Sequence, residues 1–166
     1  MSAERFDLIG PILHDIVEQS RLALSPVPSR VNYVAPGNEV AWDACCDGQL
    51  SGRIVSINPH VGTQARSSSP CGVLYWDVLL AVGILRCVDV VDDQGTAPST
   101  LELDRDGQQM LWDAQALQQV ILCHDKVKQI NAWVPQGPQG GCAGGEWTFL
   151  VTVGVCPCDP PVATPI

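Results

Sequence analysis

Eight cysteines carry the most evident chemical potential of this sequence. Eight among 166 residues fall below the ~8–10% that marks a small disulfide-built scaffold. Zinc sites usually take cysteines in pairs two to four residues apart. The close pairs here, Cys45-Cys46 and Cys156-Pro157-Cys158, do not form such a set, which argues against zinc. Reduced, buried thiols are the favoured interpretation, and disulfides formed in an oxidising medium are the alternative. The redox state is left open for Cys45, Cys46, Cys71, Cys87, Cys123, Cys142, Cys156 and Cys158.

Three histidines are the candidates for general acid–base catalysis. His14 and His124 fall on predicted helices, and His60 falls in a polar loop. None lies in a catalytic signature, and no cysteine is accompanied by a histidine motif that would activate its thiol. We therefore predict structural or solvated histidines, no catalytic residue and no enzymatic activity.

Acidic and glycine-rich runs do not indicate a metal or phosphate site either. The acidic residues within 89–93 lack the alternating ligands of a calcium loop. Asp104 and Asp106 suit the first turn of a helix, where anions favour the dipole. Residues 137–145 precede a strand and contain no lysine, unlike a phosphate-binding loop, so their glycines instead predict a close approach to another backbone. The sequence thus predicts no metal ligand and no cofactor.

Composition and charge place the chain in the globular class, with 46% apolar residues and a mean hydropathy of +0.12. Charged residues are only 16%, against a usual ~25%, which suggests a surface covered by partners. The net charge is −9 and the nine basic residues are scattered, which argues against a nucleic-acid-binding protein. The length predicts one domain over residues 1–156, followed by a proline-rich extended tail over 157–166.

Neither export nor membrane insertion is predicted. The first ten residues lack the basic stretch and apolar region of a signal peptide, so we expect synthesis to end in the cytosol. The longest apolar run, 78–85, is far shorter than the ~20 residues of a membrane-spanning helix. That run predicts a buried strand instead.

The first half of the chain predicts a helix and a hairpin. Apolar residues at helical spacing predict an amphipathic helix from near Pro11, ended by the proline-rich residues 25–29. Residues 39–46 and 49–57 are predicted strands, and Asp47-Gly48 between them is typical of a type I′ hairpin turn.

The central part predicts a long strand and a second helix. A polar loop is expected over 58–72, and alternating apolar residues predict a strand over 73–90 that is broken only by Arg86. Ser99 and Glu102 form a capping box that opens a helix through about Cys123. Its buried stripe is predicted to contain Leu103, Met110, Ala114, Leu117 and Ile121.

The last part predicts a flexible segment and a final strand. Residues 131–146 are rich in Gly, Pro and Gln and are expected to be a loop, whereas 147–155 alternate as a strand. The order is helix, three strands, helix, strand, which indicates an α+β fold: one mixed or antiparallel sheet with both helices packed on it. Residues 58–72, 131–146 and the tail from 157 are expected to be interface segments.

Four stretches taken together resemble a family of phage proteins. They are residues 36–50 (PGNEVAWDACCDGQL), 71–87 (CGVLYWDVLLAVGILRC), 97–121 and 136–155 (QGPQGGCAGGEWTFLVTVGV). Over roughly residues 35–155 the chain resembles the head-to-tail connector proteins of long-tailed phages that infect actinobacteria, and among them the tail terminators. The predicted element order favours a terminator, since the adaptors of that neck are mainly helical and the stoppers are small β barrels.

The resemblance implies a structural virion protein without enzymatic activity. It implies a homo-hexameric ring that caps the finished tail tube, stops further addition of the major tail tube protein and presents a surface to the head-tail stopper. Duplex DNA would pass through its channel without specific binding. The ring would be assembled in the bacterial host cytoplasm and would lie in the phage neck, at the top of the tail. The alternatives are another neck ring, a stopper or an adaptor, and a small thiol- or metal-dependent enzyme.

Overall fold

Two helices and five strands make up the part of the chain that the computed structural model describes, residues 8–37, 40–42, 45–60 and 74–155. The domain boundary expected near residue 156 and the tail lie outside these residues. The elements in chain order are α1 (Gly10–Ala23), β1 (Arg30–Ala35), β2 (Gln49–Pro59), β3 (Leu74–Cys87), α2 (Thr100–Cys123), β4 (Val127–Gln139) and β5 (Cys142–Val155).

The strands form one mixed sheet in the order β1-β2-β3-β5-β4. β1 pairs with β2 in parallel, and the other neighbours are antiparallel. Both helices pack side by side on one face: the Leu13 and Val17 side chains of α1 lie against Gly52 of β2, and the indole of Trp147 in β5 donates to the carbonyl of Ala114 in α2. The predicted α+β class is confirmed, with one strand more than expected.

The first helix forms where its sequence predicts it. Pro11 occupies the first turn, where its missing N–H is not needed. The helix buries Leu13, Ile16 and Val17 completely. This spacing puts all three side chains on the stripe that faces the sheet.

The strand predicted over 73–90 forms as β3 and ends at Cys87. Its alternating apolar residues lie on the buried side of the sheet, as predicted. Val78, Leu80, Val82 and Ile84 of β3 are all buried beneath the helices. They belong to the main core cluster, whose other members from the remaining elements include Leu50, Leu117, Ile121, Phe149, Val151 and Val153. Because β3 lies between β2 and β5, neither edge of its backbone is free for another strand.

The second helix begins at the predicted capping box but buries less of its stripe than expected. The Ser99 side chain accepts from the Glu102 amide, and the Glu102 carboxylate accepts from the Ser99 amide. Ala114, Leu117 and Ile121 are buried, whereas Met110 is half-buried and Leu103 is exposed. The prediction of a buried Leu103 is wrong, because the first turns of α2 extend beyond the core and its buried residues begin only at Asp113.

The predicted strand over 49–57 is confirmed as β2, but the hairpin that joined it to a strand over 39–46 is wrong. Among its first eight positions, the described residues 40–42, 45 and 46 form no strand. β2 instead takes β1 as its parallel neighbour on that edge. Asp47-Gly48 does form a turn, in which the Gly48 amide donates to the carbonyl of Cys45. Only Gly48 has a positive φ there, so the turn is not of type I′.

The predicted loop over 131–146 is also wrong, because it forms most of β4 and the start of β5. β4 is an edge strand, where Pro135 and Pro138 are tolerated because their missing amide hydrogens are not needed by a second neighbour. Bulges shift its register, so half-buried residues recur every third position: Val127, Ile130, Trp133 and Gln136. A strand with this spacing has no period-two signal in the sequence.

Candidate interaction surfaces

Each histidine contacts a side chain from a different element. The His14 ring stacks on Tyr33 with 4.0 Å between ring centroids. Nδ1 of His60 lies 2.9 Å from both carboxylate oxygens of Asp77. Nε2 of His124 lies 3.2 Å from Asp15, which joins the end of α2 to α1. These contacts tie elements together, and the absence of catalysis stays a prediction.

The acidic residues near the start of α2 stabilise local structure. Asp92 accepts from the amides of Gln94 and Thr96, and these hydrogen bonds lower the pKa of its carboxyl group. The carboxylate of Asp106 accepts from the amide of Asp89. The acid in the first turn of α2 is Glu102, not Asp104 or Asp106 as predicted from the sequence, because the helix begins at Thr100.

The glycine-rich run forms the β4–β5 hairpin, with its turn at Gly140 and Gly141, and not a phosphate cradle. At Gly144 a Cβ would overlap the carbonyl oxygen of Ile84 on β3. The predicted close approach to another backbone is therefore confirmed, and it occurs within the chain.

The sheet face opposite the helices, called here the far face, carries a cavity of about 390 Å³. Its charged residues are Arg53 and Glu146. They form an ion pair in which Nη2 of the arginine lies 2.5 Å from Oε1 of the glutamate. Their side chains are only 12% and 14% exposed. One wall contains Trp42, from the irregular segment before β2. The paired charges neutralise each other, so the cavity offers no uncompensated charge from this pair to a ligand.

A second depression lies on the far face, beside the end of β2 and the start of β3. It has a volume of about 510 Å³ and is lined by His60, Tyr75, Asp77, Lys128, Leu150 and Thr152. Asp77 contacts both His60 and the Thr152 hydroxyl, and these hydrogen bonds lower the pKa of its carboxyl group. Tyr75 is exposed and Leu150 is half-buried. This depression is shallow, and two charged side chains, those of Asp77 and Lys128, line it together with the apolar surfaces of Tyr75 and Leu150.

The outer face of α2 exposes large apolar side chains to solvent. From residue 107 on it comprises Gln108, Leu111, Trp112, Gln115, Gln119 and Leu122, all exposed, and nearer the helix start the exposed Asp104 and Arg105 separate these residues from Leu101. Leu101 is 78% exposed, and Leu111, Trp112 and Leu122 are each 58% exposed. Between residues 107 and 123 the only charged residue is Asp113, which is buried. Scattered apolar residues are normal on a surface, whereas a continuous uncharged row marks an interaction site.

Sequence reasoning missed this face. The predicted buried stripe of α2 contains Leu103, Met110, Ala114, Leu117 and Ile121, and the other apolar residues of the helix carry no predicted role. The signal that was available is the second set of apolar residues at helical spacing, separated by glutamines and not by charges. An ordinary solvated helix face has charged residues at such positions.

Of the five cysteines that the structure describes, four form disulfides, Cys45–Cys142 and Cys46–Cys87. The favoured interpretation of reduced, buried thiols is therefore wrong for these four, and two of them, Cys46 and Cys87, are exposed. Strand pairing explains the contact, since Cys87 and Cys142 are opposite each other on β3 and β5. Cys123 is free and exposed. The remaining cysteines, at 71, 156 and 158, lie outside the described residues.

Two of the three expected interface segments lie mostly outside the described residues. Of 58–72, the structure describes 58–60, at the end of β2 and just after it. The tail from 157 is not described. The third segment, 131–146, belongs to the sheet and is not a free loop.

Comparison with known proteins identifies no relative: no family model matches the chain, and no curated protein sequence matches it significantly. Within the described residues, neither helix has the length and apolar character to cross a membrane.

Proposed function

We propose that this chain is a structural protein of the phage neck, a tail terminator that assembles as a homo-hexameric ring. The ring caps the tail tube, contacts the major tail tube protein below it and meets the head-tail stopper above it. The resemblance of residues 35–155 to actinobacterial phage connectors supports the place in the neck. The α+β fold with both helices on one sheet face is compatible with that class.

The observation that carries the proposal of a ring is the outer face of α2. A row of exposed leucines with a tryptophan at its centre is unfavourable in water. Tryptophan in such a patch is typical of residues that dominate binding energy at interfaces. The patch therefore indicates a protein partner that covers it.

The charge distribution favours a second copy of the chain as that partner. Copies with a formal charge of −9 repel each other wherever their carboxylates meet. The outer face of α2 carries no charge from 107 to 123 other than buried Asp113, so two copies can approach there without adding repulsion.

The second depression on the far face is the complementary surface that we assign to this contact. It is shallow, and exposed Tyr75 and half-buried Leu150 line it beside the charged side chains of Asp77 and Lys128. Its volume of about 510 Å³ accommodates an indole ring such as that of Trp112. A helix face that binds a different surface on its neighbour makes a head-to-tail contact, and such contacts close into rings.

DNA passes through this ring without being bound. A channel that grips duplex DNA needs clustered Lys and Arg side chains. Six copies each carry nine basic residues against eighteen acidic ones, which gives a weakly repulsive environment for phosphates. The virion neck is the proposed location, after assembly in the host cytoplasm.

The oligomeric state tests the ring. Native mass measurement of the purified chain over a range of concentrations is expected to show a species of six 17.8-kDa chains. A monomer at every concentration would contradict it. A photo-cross-linking residue at position 112 is expected to react with the strands that carry Tyr75 and Leu150 in a neighbouring copy.

Cross-linking in assembled virions separates the terminator from the other neck rings. A terminator is expected to cross-link to the tail tube protein. Cross-links to the portal side alone would instead identify an adaptor or a stopper.

A further inference from the structure

Four cysteine sulfurs converge on one place from three separate parts of the chain. Cys45 and Cys46 lie in the turn before β2, Cys87 ends β3 and Cys142 begins β5. The two disulfides are neighbours, because Sγ of Cys45 lies 3.9 Å from Sγ of Cys87, which belongs to the other disulfide. The sulfurs of Cys45, Cys46 and Cys87 all lie within 4.8 Å of one another, and Cys142 is bonded to the first of them.

We propose that these four cysteines, when reduced, form a structural zinc site of the four-cysteine type. Zinc held by four thiolates has Zn–S bonds of about 2.3 Å in tetrahedral geometry, which separates the sulfurs by about 3.8 Å. The distance between the Cys45 and Cys87 sulfurs already matches such an edge. Four protein ligands fill the coordination sphere, so the site is closed and stabilises the fold without catalysing a reaction.

The tertiary structure, not close spacing in sequence, brings these ligands together. Zinc ligands often occur as pairs close together in sequence, whereas the cysteines of the two disulfides here are 41 and 97 residues apart. The pairing of β3 with β5 brings Cys87 opposite Cys142. The turn at Cys45–Gly48 then places the two adjacent cysteines beside them.

The conversion from disulfides to a zinc site balances as a simple exchange. A dithiol reductant, the class that keeps bacterial cytoplasm reducing, gives two electrons and two protons to each disulfide and is itself oxidised to a disulfide. Zn²⁺ then binds the four thiolates, and four protons leave to solvent. Zinc changes no oxidation state. Exchange with two equivalents of a disulfide oxidant, each reduced to a dithiol, re-forms the two disulfides and releases the ion.

The site would add a metal cross-link to an irregular segment, whose end is also held by the amides of Ser29 and Arg30, which donate to the carbonyls of Asp47 and Gly48. The described residues 40–42 and 45–48 form no helix or strand. They are attached to the far face through the small cluster of Trp42, Cys45, Leu85 and Cys142 and through the side-chain amide Nε2 of Gln49, which donates to the carbonyl of Ala41. Zinc supplies the cross-link under reducing conditions, in which the disulfides do not persist.

Cobalt substitution tests this proposal in the full chain. The variant to use replaces Cys71, Cys123, Cys156 and Cys158 by Ser, so that only the four proposed ligands remain. Reduced with a phosphine and kept free of oxygen, it is expected to bind one Co²⁺ per chain. The expected spectrum is that of tetrahedral Co²⁺ with four thiolates, with visible d–d bands and sulfur-to-metal charge transfer, and Zn²⁺ is expected to displace the cobalt.

Alkylation of the same variant gives an independent readout that does not depend on a ligand substitution. Added Zn²⁺ is expected to protect all four thiols from iodoacetamide, as counted by mass.

Two further variants test the cobalt spectrum. Cys142→Ser in this background is expected to lose the four-thiolate spectrum, whereas Cys123→Ser alone in the natural chain is expected to keep it. No cobalt spectrum, or four thiols that alkylate equally fast with and without Zn²⁺, would overturn the proposal.

Discussion

Arg86 of β3 and Asp113 of α2 form a paired contact between the sheet and the second helix. Nε of Arg86 lies 2.5 Å from Oδ2 of Asp113, and Nη2 lies 3.0 Å from Oδ1. The two side chains are 11% and 4% exposed. The arginine also donates to the carbonyl of Pro26, and Gln109 donates to Asp113 and to the carbonyl of Ser25. This network joins the linker after α1 to β3 and α2.

Removing the acidic partner of this pair is expected to destabilise the fold strongly. Asp113→Ala leaves a nearly buried guanidinium without its carboxylate, and breaking such a pair costs about 3–5 kcal/mol. Asp104→Ala on the same helix is the control, because Asp104 is exposed and is expected to change stability by less than about 0.5 kcal/mol. Denaturant unfolding of both variants measures the difference. Equal stabilities would contradict this role.

Replacement of two glycines by alanine, one at a time, is expected to change the free energy of unfolding in opposite directions. At Gly144 the new methyl group overlaps the Ile84 carbonyl, so Gly144→Ala is expected to lower the free energy of unfolding by more than about 1 kcal/mol. Gly107, on α2, has open space around it. Gly107→Ala is expected to raise the free energy of unfolding by about 0.5–1 kcal/mol, because alanine favours the helix. Thermal or urea unfolding gives both signs, and a stabilised Gly144→Ala would show that β5 lies farther from β3.

The Glu18 carboxylate is expected to make stability depend on pH in the acid range. Hydrogen bonds from Arg21 and Tyr33 lower its pKa from 4.5 to about 2, and the nearby charges of Arg21 and His14 act in the same direction. A lowered folded pKa means that the stabilisation is fully present above pH 4.5 and is lost as pH falls from there through about 2.

Two variants measure this effect. The difference in unfolding free energy between the natural chain and Glu18→Gln is expected to shrink as the pH falls through that window. Tyr33→Phe removes one of the three hydrogen bonds to the Glu18 carboxylate, the other two being from Arg21, and keeps the ring that stacks on His14, so it is expected to give a smaller pH dependence. A difference for Glu18→Gln that does not change with pH would contradict the lowered pKa.

A charge on the outer face of α2 is expected to dissociate the assembly. Trp112→Glu removes the central anchor and adds a negative charge, and loss of an interface tryptophan costs at least about 2 kcal/mol per contact. Val34→Glu is the matched control, because it adds the same charge at an exposed apolar position on β1. Sedimentation is expected to show subunits for the first variant and the ring for the second. Rings of Trp112→Glu would rule out this face as the contact.

The fold was predictable where local signals and tertiary packing agree. The capping box at Ser99 and the stripe of Leu13, Ile16 and Val17 specify their helices directly. β1 and β4 were missed for different reasons. β1 follows a proline-rich linker and pairs in parallel with a strand that only the tertiary structure brings beside it. In β4, bulges shift the register, so buried and exposed residues do not alternate along its sequence.

The cysteine cluster was not predictable from the sequence. Ligand spacing is informative when one short segment supplies two ligands in favourable geometry. Here the cluster depends on the register that sets Cys87 opposite Cys142, and register is a property of the whole sheet. The outer face of α2 was readable in principle, since its leucines and glutamines recur at helical spacing without charges.

Tail length in a phage that lacks this chain tests the proposed terminator most directly. Electron micrographs of lysates from a deletion mutant are expected to show tails of excessive and variable length that are not joined to heads, because nothing stops addition of the tube protein. Supplying the natural chain from a plasmid is expected to restore a single tail length. Tails of normal length in the deletion mutant, whether detached from heads or joined to them, would contradict the assignment.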